Sequence, residues 1–145
     1  MVIDFGGKIA IVTGASRGIG KSIAAALAAA GAEVIGTATT DAGADTITTS
    51  LGGKSRGYVL DVSSPESTDR FFESIKGNHE APLILVNNAG ITRDNLALRM
   101  NAGEWDDVVN TNLGSVYRVT RGCLRGMTRA RWGRVINISS VVGHM

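Results

Sequence analysis

The chain contains few of the residue types that define several protein classes. Its 145 residues include one cysteine, two histidines and two prolines, and aromatic residues make up 5%. The single Cys123 cannot form an internal disulfide, which is typical of a reducing compartment, and we expect it to be a small buried residue. His79 and His144 are isolated in the sequence, so we expect no metal site.

Charge and hydropathy exclude further classes. A net charge of +2 is too small to indicate a nucleic-acid partner. No apolar run is long enough to span a bilayer, and residues 1–5 lack the pattern of a secretory signal. The length and the hydrophobic content of 43% suffice for a globular core. We therefore expect one cytoplasmic domain over residues 1–145, without a membrane partner.

Segments typical of strands alternate with segments typical of helices. Strands are predicted at residues 8–12, 33–37, 57–61, 83–87 and 135–138. Helices are predicted to follow the first four strands, and Ser64 with Pro65 has the pattern of a helix start. The alternation favours right-handed crossovers, and thus an α/β Rossmann-like, doubly wound parallel sheet of about five strands. Ligands of such sheets bind beyond the carboxyl ends of the strands.

The last predicted helix, over residues 104–127, has an apolar pattern of its own. Residues at three- and four-residue steps predict its buried face. They are Trp105, Val109, Leu113, Val116, Thr120, Cys123 or Leu124, and Met127.

A glycine-rich turn joins the first strand to the first helix. Gly14, Gly18 and Gly20 are spaced G-x-x-x-G-x-G, and an Ala-rich helix pattern follows. Glycines allow the backbone to approach a ligand, and the start of a helix favours an anion. The turn predicts a phosphate-bearing ligand, most simply a dinucleotide. Taken alone, the same glycines also suit a tight turn that binds nothing.

Three blocks of the sequence resemble the short-chain dehydrogenase/reductase family. They are TGASRGIG at 13–20, NNAG at 87–90 and NISS at 137–140. Residues 87–96 and 134–143 are similar, more narrowly, to the bacterial 3-oxoacyl-(acyl-carrier-protein) reductases. The resemblance implies NADPH-dependent reduction of a 3-oxoacyl group on acyl carrier protein in fatty acid biosynthesis, with acetoacetyl-CoA or another carbonyl as the alternative substrate. It also implies a homotetramer with the helix over 104–127 as a subunit contact.

The residues themselves favour NADPH over NADH. NAD-binding folds carry a carboxylate about twenty residues after the glycine turn, and here no acid follows the second strand before Asp41. Arg17, inside the turn, offers a guanidinium for a ribose 2′-phosphate, although it also suits a solvated position. The resemblance assigns the cofactor contacts to Gly14, Ala15, Ser16, Arg17, Gly18, Ile19, Gly20, Thr39, Asp61, Val62, Asn88, Ala89 and Gly90.

Within that set, two roles are more specific. The resemblance implies that Asp61 accepts a hydrogen bond from the adenine amino group. Asparagines after a strand often bind nearby backbone. We therefore expect Asn87 to be mainly structural and Asn88 to face the cofactor.

For catalysis, the resemblance assigns the family's serine to Ser140 and its asparagine to Asn112. Ser139 is the rival serine, and Asn112 also suits an ordinary satisfied position on a helix. The family's Tyr-x-x-x-Lys is not found between Ser140 and Met145. We therefore expect the sequence to be an amino-terminal portion, and a non-catalytic nucleotide-binding fragment is the alternative function.

Arginines are concentrated near the end of the last predicted helix. They are Arg118, Arg121, Arg125, Arg129, Arg131 and Arg134. The resemblance implies that Arg131 docks the acidic carrier protein beside the active-site entrance. Cations at a solvated helix end are the equally open alternative.

Overall fold

The computed structural model describes residues 3–89 and 101–138, in which five strands alternate with four helices. The strands are β1 (Ile9–Val12), β2 (Glu33–Ala38), β3 (Arg56–Val59), β4 (Ile84–Asn87) and β5 (Arg134–Asn137). The helices are α1 (Gly18–Ala29), α2 (Asp41–Leu51), α3 (Pro65–Lys76) and α4 (Ala102–Ala130). All described strand pairs are parallel, in the order β3-β2-β1-β4-β5. The Rossmann-like sheet is confirmed, with each strand within two residues of its predicted bounds.

The sheet is covered on both faces because its strand residues alternate between two cores. Ile9 and Ile11 pack into a cluster with residues of α3 and α4. Ala10 and Val12 pack into a second cluster with residues of α1 and α2. All four residues of β1 are buried, which explains why the strand has a continuous apolar sequence.

Polar caps define where α2 and α3 begin. The Thr40 hydroxyl accepts a hydrogen bond from the Gly43 N–H, and the Ser64 hydroxyl accepts one from the Ser67 N–H. Pro65 occupies the first turn of α3, as the sequence predicts. Phe71 and Ile75 are buried, so the predicted inner face of α3 is confirmed at those positions.

The buried face of α4 differs from the predicted one. Its buried residues follow a four-residue step and are Ser115, Val119, Cys123 and Met127. Leu113 is 64% exposed and Trp105 is 43% exposed, so the prediction was wrong at both. The small Gly122 faces the Phe72 ring, where an added Cβ would lie 2.2 Å from a ring carbon, and this close approach fixes the rotation of α4.

Cys123 and His79 both have structural surroundings. Burial raises the pKa of the Cys123 thiol to about 12, so it is not a thiolate nucleophile. His79 Nδ1 lies 2.6 Å from the Glu33 carboxylate, and its Nε2 lies 2.8 Å from the Tyr58 hydroxyl. The histidine therefore ties β2 to β3 from the segment after α3. None of the helices described is long and apolar enough to cross a bilayer.

The contact between α2 and β3 generates a stability prediction. A Cβ added to Gly57 would lie 2.0 Å from the Ala44 carbonyl oxygen, which is helix backbone and cannot move alone. We expect Gly57→Ala to lower the free energy of unfolding by about 2 kcal/mol or more. Gly77, which has φ of −83° and open space around it, is the matched control. Gly77→Ala should be neutral or slightly stabilising in the same urea titration, and equal losses in both variants would contradict the close contact.

Candidate functional site

The candidate functional site lies at the carboxyl edge of the sheet. Since the strands are parallel, the segments after β1, β2, β3 and β4 all emerge at this edge. They carry the glycine turn, Thr39, Asp61 with Val62, and Asn88 with Ala89. The structure thus gathers most of the predicted cofactor residues at one edge. Gly90 and both candidate catalytic serines, Ser139 and Ser140, lie outside the described residues.

One buried hydroxyl joins the turn after β1 to the segment after β4. Thr13 is 1% exposed, and its Oγ1 accepts hydrogen bonds from the N–H groups of Asn88 (3.0 Å) and Ala89 (2.9 Å). The Asn88 side chain donates back to the Gly14 carbonyl at 3.1 Å. These bonds hold the two segments together across neighbouring strands, so the floor of the site is built from both.

Two glycines permit the tight path of the turn. Gly14 has φ of +64°, and a Cβ there would lie 3.1 Å from the Ala89 Cβ. A Cβ on Gly20 would lie 2.1 Å from the Gly14 carbonyl oxygen. Side chains at either position would push apart the segments that Thr13 joins.

The start of α1 differs from the other described helix starts. Arg17 is its N-cap, without a side-chain hydrogen bond, and the first turn carries no acid. Thr40, Ser64 and Asn101 cap the other three helices with their side chains. The N–H groups of α1 and its positive dipole end thus remain for an anion at the carboxyl edge.

The segment after β2 has no carboxylate at the strand end. Thr39 and Thr40 are exposed, and the first acid is Asp41 in the first turn of α2. A Cβ added to Gly43 would lie 3.7 Å from the Ser16 Cβ, so the start of α2 lies beside the glycine turn. Arg17 is exposed at the same turn. The residues brought together here are hydroxyl groups and a cation.

The segment after β3 forms a tightly bonded turn. The Asp61 N–H donates to the Ser67 hydroxyl at 2.9 Å. The Asp61 Oδ1 accepts from the Ser63 N–H at 3.0 Å and from the Ser63 hydroxyl at 2.6 Å. The Val62 side chain is 7% exposed, whereas Asp61 is exposed. The turn therefore presents a carboxylate whose position is fixed by two donors.

The three candidate asparagines have different surroundings. Asn87 is 6% exposed, and its side chain donates to Asn137 Oδ1 at 2.9 Å, in keeping with a structural role. Asn88 also has a structural bond, the one to Gly14, beside any role toward a ligand. Asn112 is half-buried in the first half of α4.

The arginines predicted as one cluster separate in the structure. Arg118 is half-buried, and its Nη2 donates to the Val62 carbonyl at 3.0 Å, so it faces the candidate site. Arg131 is exposed just before β5 begins, which places it at the amino edge of the sheet. In the single chain Arg131 therefore lies at the opposite edge of the sheet from the segments of the candidate site, and its docking role stays a prediction.

Several side chains with possible chemistry do not fit a catalytic role. Burial raises the pKa of Tyr58, the opposite direction from that of a proton donor tuned toward neutral pH. Tyr117 is 63% exposed on α4. The part of the chain that the structure describes contains no group of three or more His, Cys, Asp or Glu residues that could hold a metal ion.

Sequence reasoning missed two elements near these segments. One is the bond from Arg118 to Val62, which joins residues 56 positions apart. The other is the network of Glu33, His79 and Tyr58. Neither has a local signal in the sequence, since each depends on side chains from separate elements.

The hydrogen bonds that Thr13 Oγ1 accepts generate a stability prediction. Thr13→Val removes the acceptor of two backbone N–H groups, and buried unpaired donors cost about 1–3 kcal/mol each. We expect a loss of roughly 2–4 kcal/mol in the free energy of unfolding, measured in urea. Thr13→Ser keeps the hydroxyl and should lose only about 1 kcal/mol. A Thr13→Val variant that loses no more stability than Thr13→Ser would contradict this role of the hydroxyl.

The sequence was compared with protein families and with known proteins. Residues 8–145 match the family model of the short chain dehydrogenases. The chain is 60% identical over 142 residues to the 3-oxoacyl-(acyl-carrier-protein) reductase FabG of Pseudomonas aeruginosa, covering 96% of this chain and 58% of that protein. It is 52% identical over 143 residues to the enzyme of the same name from Escherichia coli, covering 99% and 59%.

A third relative gives the same result. The chain is 54% identical over 137 residues to the FabG of Haemophilus influenzae, covering 94% of this chain and 57% of that protein. The chain thus spans somewhat under three fifths of the length of the curated relatives it matches. On the family match and these identities, the chain belongs to the short-chain dehydrogenase family.

Proposed function

We propose that the protein is an NADPH-dependent reductase of 3-oxoacyl groups carried on acyl carrier protein, acting in fatty acid biosynthesis. The observation that carries the proposal is the turn between β1 and α1, where the tightly packed Gly14 and Gly20 lie on either side of a helix start without a side-chain cap. The names of the relatives support the substrate class.

The residues of the site fit a dinucleotide phosphate. Gly18 has φ of +61° and open space around its Cα, so a pyrophosphate has access to the backbone. The segment after β2 offers exposed Thr39, and exposed Arg17 lies in the neighbouring turn. A ribose 2′-phosphate suits this combination, whereas the carboxylate that binds an unmodified ribose is missing from the end of β2.

Each part of the cofactor then has a proposed set of contacts. The backbone of residues 14–20 holds the pyrophosphate, and Ile19, which is 63% exposed, covers it from the helix side. Arg17 and Thr39 hold the 2′-phosphate. Asp61 and Val62 hold the adenine, and the segment 88–90 lies along the nicotinamide ribose. NADPH supplies the hydride for the 3-oxo carbon when it is bound.

The chain's own residues have distinct roles in the proposed reduction. Ser140 donates a hydrogen bond to the carbonyl oxygen of the substrate, which orients the carbonyl and stabilises its developing charge. Asn112 supports a proton relay from the first half of α4. Tyr58 and Tyr117 are each followed four residues later by a residue other than lysine, Val62 and Arg121. Neither tyrosine therefore supplies the family's proton donor.

That last observation favours a second candidate function for the 145-residue chain, nucleotide binding without turnover. Mixing the protein with NADPH and a 3-oxoacyl thioester separates the two. Binding of NADPH with oxidation of the cofactor supports the reductase. Binding without oxidation supports the second candidate, and absence of NADPH binding would overturn both.

Cofactor preference tests the role of Arg17. We expect Arg17→Met to weaken NADPH binding by about ten- to a hundredfold, because a charge-assisted hydrogen bond to phosphate is worth about 1.5–3 kcal/mol. The dissociation constant for NADH, which lacks the 2′-phosphate, should stay within about twofold. Calorimetric titration with both cofactors measures the ratio. Arg70→Met, at an exposed position of α3, is the matched control. Parallel losses for the two cofactors would contradict the assignment.

Binding of acyl carrier protein to Arg131 variants tests the proposed docking role of this residue. This residue ends α4 with φ of +56° and is the single non-glycine residue of positive φ among the described residues, a strain that often marks a functional position. Arg131→Glu should weaken binding of acyl carrier protein about tenfold by placing a like charge opposite the acidic carrier. NADPH binding should not change, because Arg131 lies at the opposite edge of the sheet.

A second variant separates charge from backbone strain. Arg131→Gly should raise the free energy of unfolding by about 0.5–1 kcal/mol, since glycine adopts the left-handed conformation freely. It should still weaken carrier binding because the cation is gone. If carrier and NADPH binding both changed, or neither did, the docking role would be wrong.

A further inference from the structure

Arg118 is a cation directed toward the proposed base site. Its Nη2 donates to the Val62 carbonyl at 3.0 Å, from a helix that is 56 positions away in sequence. Its Nε is buried and has no hydrogen-bond partner among the described residues. Burying an unpaired donor destabilises a fold. Stability alone is therefore a poor reason for an arginine at this position.

The peptide unit whose carbonyl accepts from Arg118 is hydrogen-bonded at its N–H as well. The planar unit between Val62 and Ser63 carries the Val62 carbonyl at one side and the Ser63 N–H at the other. The Ser63 N–H donates to Asp61 Oδ1 at 3.0 Å. A chain of hydrogen bonds thus runs from the guanidinium, through one rigid peptide, to the Asp61 carboxylate.

Such a chain strengthens each of its members. A cation that donates to the carbonyl polarises the peptide, and the N–H of the same peptide becomes a better donor to the carboxylate. Both described bonds to the carboxylate come from Ser63 and end on Oδ1. Oδ2 is then the oxygen left to accept from a ligand, and its direction depends on the peptide plane.

The remaining hydrogen bonds of this turn are local, although the Val62 side chain also packs in the core cluster that includes Val119 of α4. The Ser67 hydroxyl, six residues away, holds the Asp61 N–H, and the Ser64 N–H donates to the Asp61 carbonyl. Within the described residues, Arg118 makes the one side-chain hydrogen bond that reaches residues 61–64 from beyond α3. It is therefore the part of the network that ties the turn to α4.

We infer that Arg118 is a positioning residue for the adenine of the cofactor, acting through the Val62–Ser63 peptide to orient the Asp61 carboxylate toward the amino group of the base. The inference rests on the proposed function, since it requires that the site binds NADPH. It differs from carrier docking, in which the sequence pattern groups Arg118 with the exposed arginines.

The test compares two cofactors that differ at the base. NADPH carries the adenine amino group, and its hypoxanthine analogue carries an oxygen there, which a carboxylate does not accept from. The native protein should bind NADPH at least about tenfold more tightly than the analogue. Arg118→Met should reduce that ratio to about threefold or less, because the carboxylate loses its fixed direction. Arg118→Lys should recover part of the ratio by keeping a cation near the carbonyl.

Controls separate positioning from loss of structure. Arg70→Met, at the exposed α3 position, should leave the ratio unchanged. If Arg118→Met does not fold, the Lys variant is combined with Asp61→Asn. With the carboxylate removed, Arg118→Lys should have no further effect on the ratio.

The outcomes distinguish the inference from the function on which it rests. The Arg118 variants could lose stability or overall affinity and still keep the native ratio of affinities for NADPH and its hypoxanthine analogue. In that case Arg118 is structural and the inference is wrong. The inference is also wrong if Arg118→Lys lowers the ratio further in the Asp61→Asn background. If the native protein binds neither cofactor, the proposed function itself fails.

Discussion

The site depends on one buried hydroxyl, that of Thr13. It accepts two backbone N–H groups from the segment after β4, and the Asn88 side chain returns a bond to the turn after β1. A doubly wound sheet has its ligand crevice between two such segments, at the point where the strand order changes direction. The hydroxyl sets the distance between them. The glycine turn thus has its position relative to the segment after β4 fixed by these hydrogen bonds.

The hydrogen bonds of Thr13 and Asn88 also explain why glycines are needed at the same edge of the sheet. Gly14 and Gly20 face the atoms that Thr13 and Asn88 bring near, so a side chain at either position would separate the walls. Gly43 and Gly57 serve the next crevice, where α2 lies against the end of β2 and against β3. The composition, with 19 glycines in 145 residues, therefore reflects close approach of backbone to backbone as well as turns.

Much of the fold can be predicted from the sequence, because each strand has a short apolar pattern and the start of α3 has a recognisable cap in Ser64 and Pro65. The prediction fails on α4, where periodicity alone does not decide which of two apolar stripes is buried. Gly122 against Phe72 decides it, and that contact joins two helices. The side-chain bonds of Arg118 and His79 escape prediction for the same reason. They link elements that are distant in sequence, and no local pattern encodes the pairing.

The two ends of the proposed cofactor would contact two parts of the site whose stabilising residues are different. The phosphate end depends on Thr13, Asn88 and the start of α1, which belong to the centre of the sheet. The base end depends on the turn after β3 and on Arg118 of α4. Groups without shared partners contribute to binding almost independently. If the site binds NADPH as proposed, the hydrogen bonds of Thr13 and Asn88 govern whether the dinucleotide is held at all, while the turn after β3 governs which base is preferred. A change in the turn after β3 therefore leaves the hydrogen bonds between β1 and the segment after β4 in place.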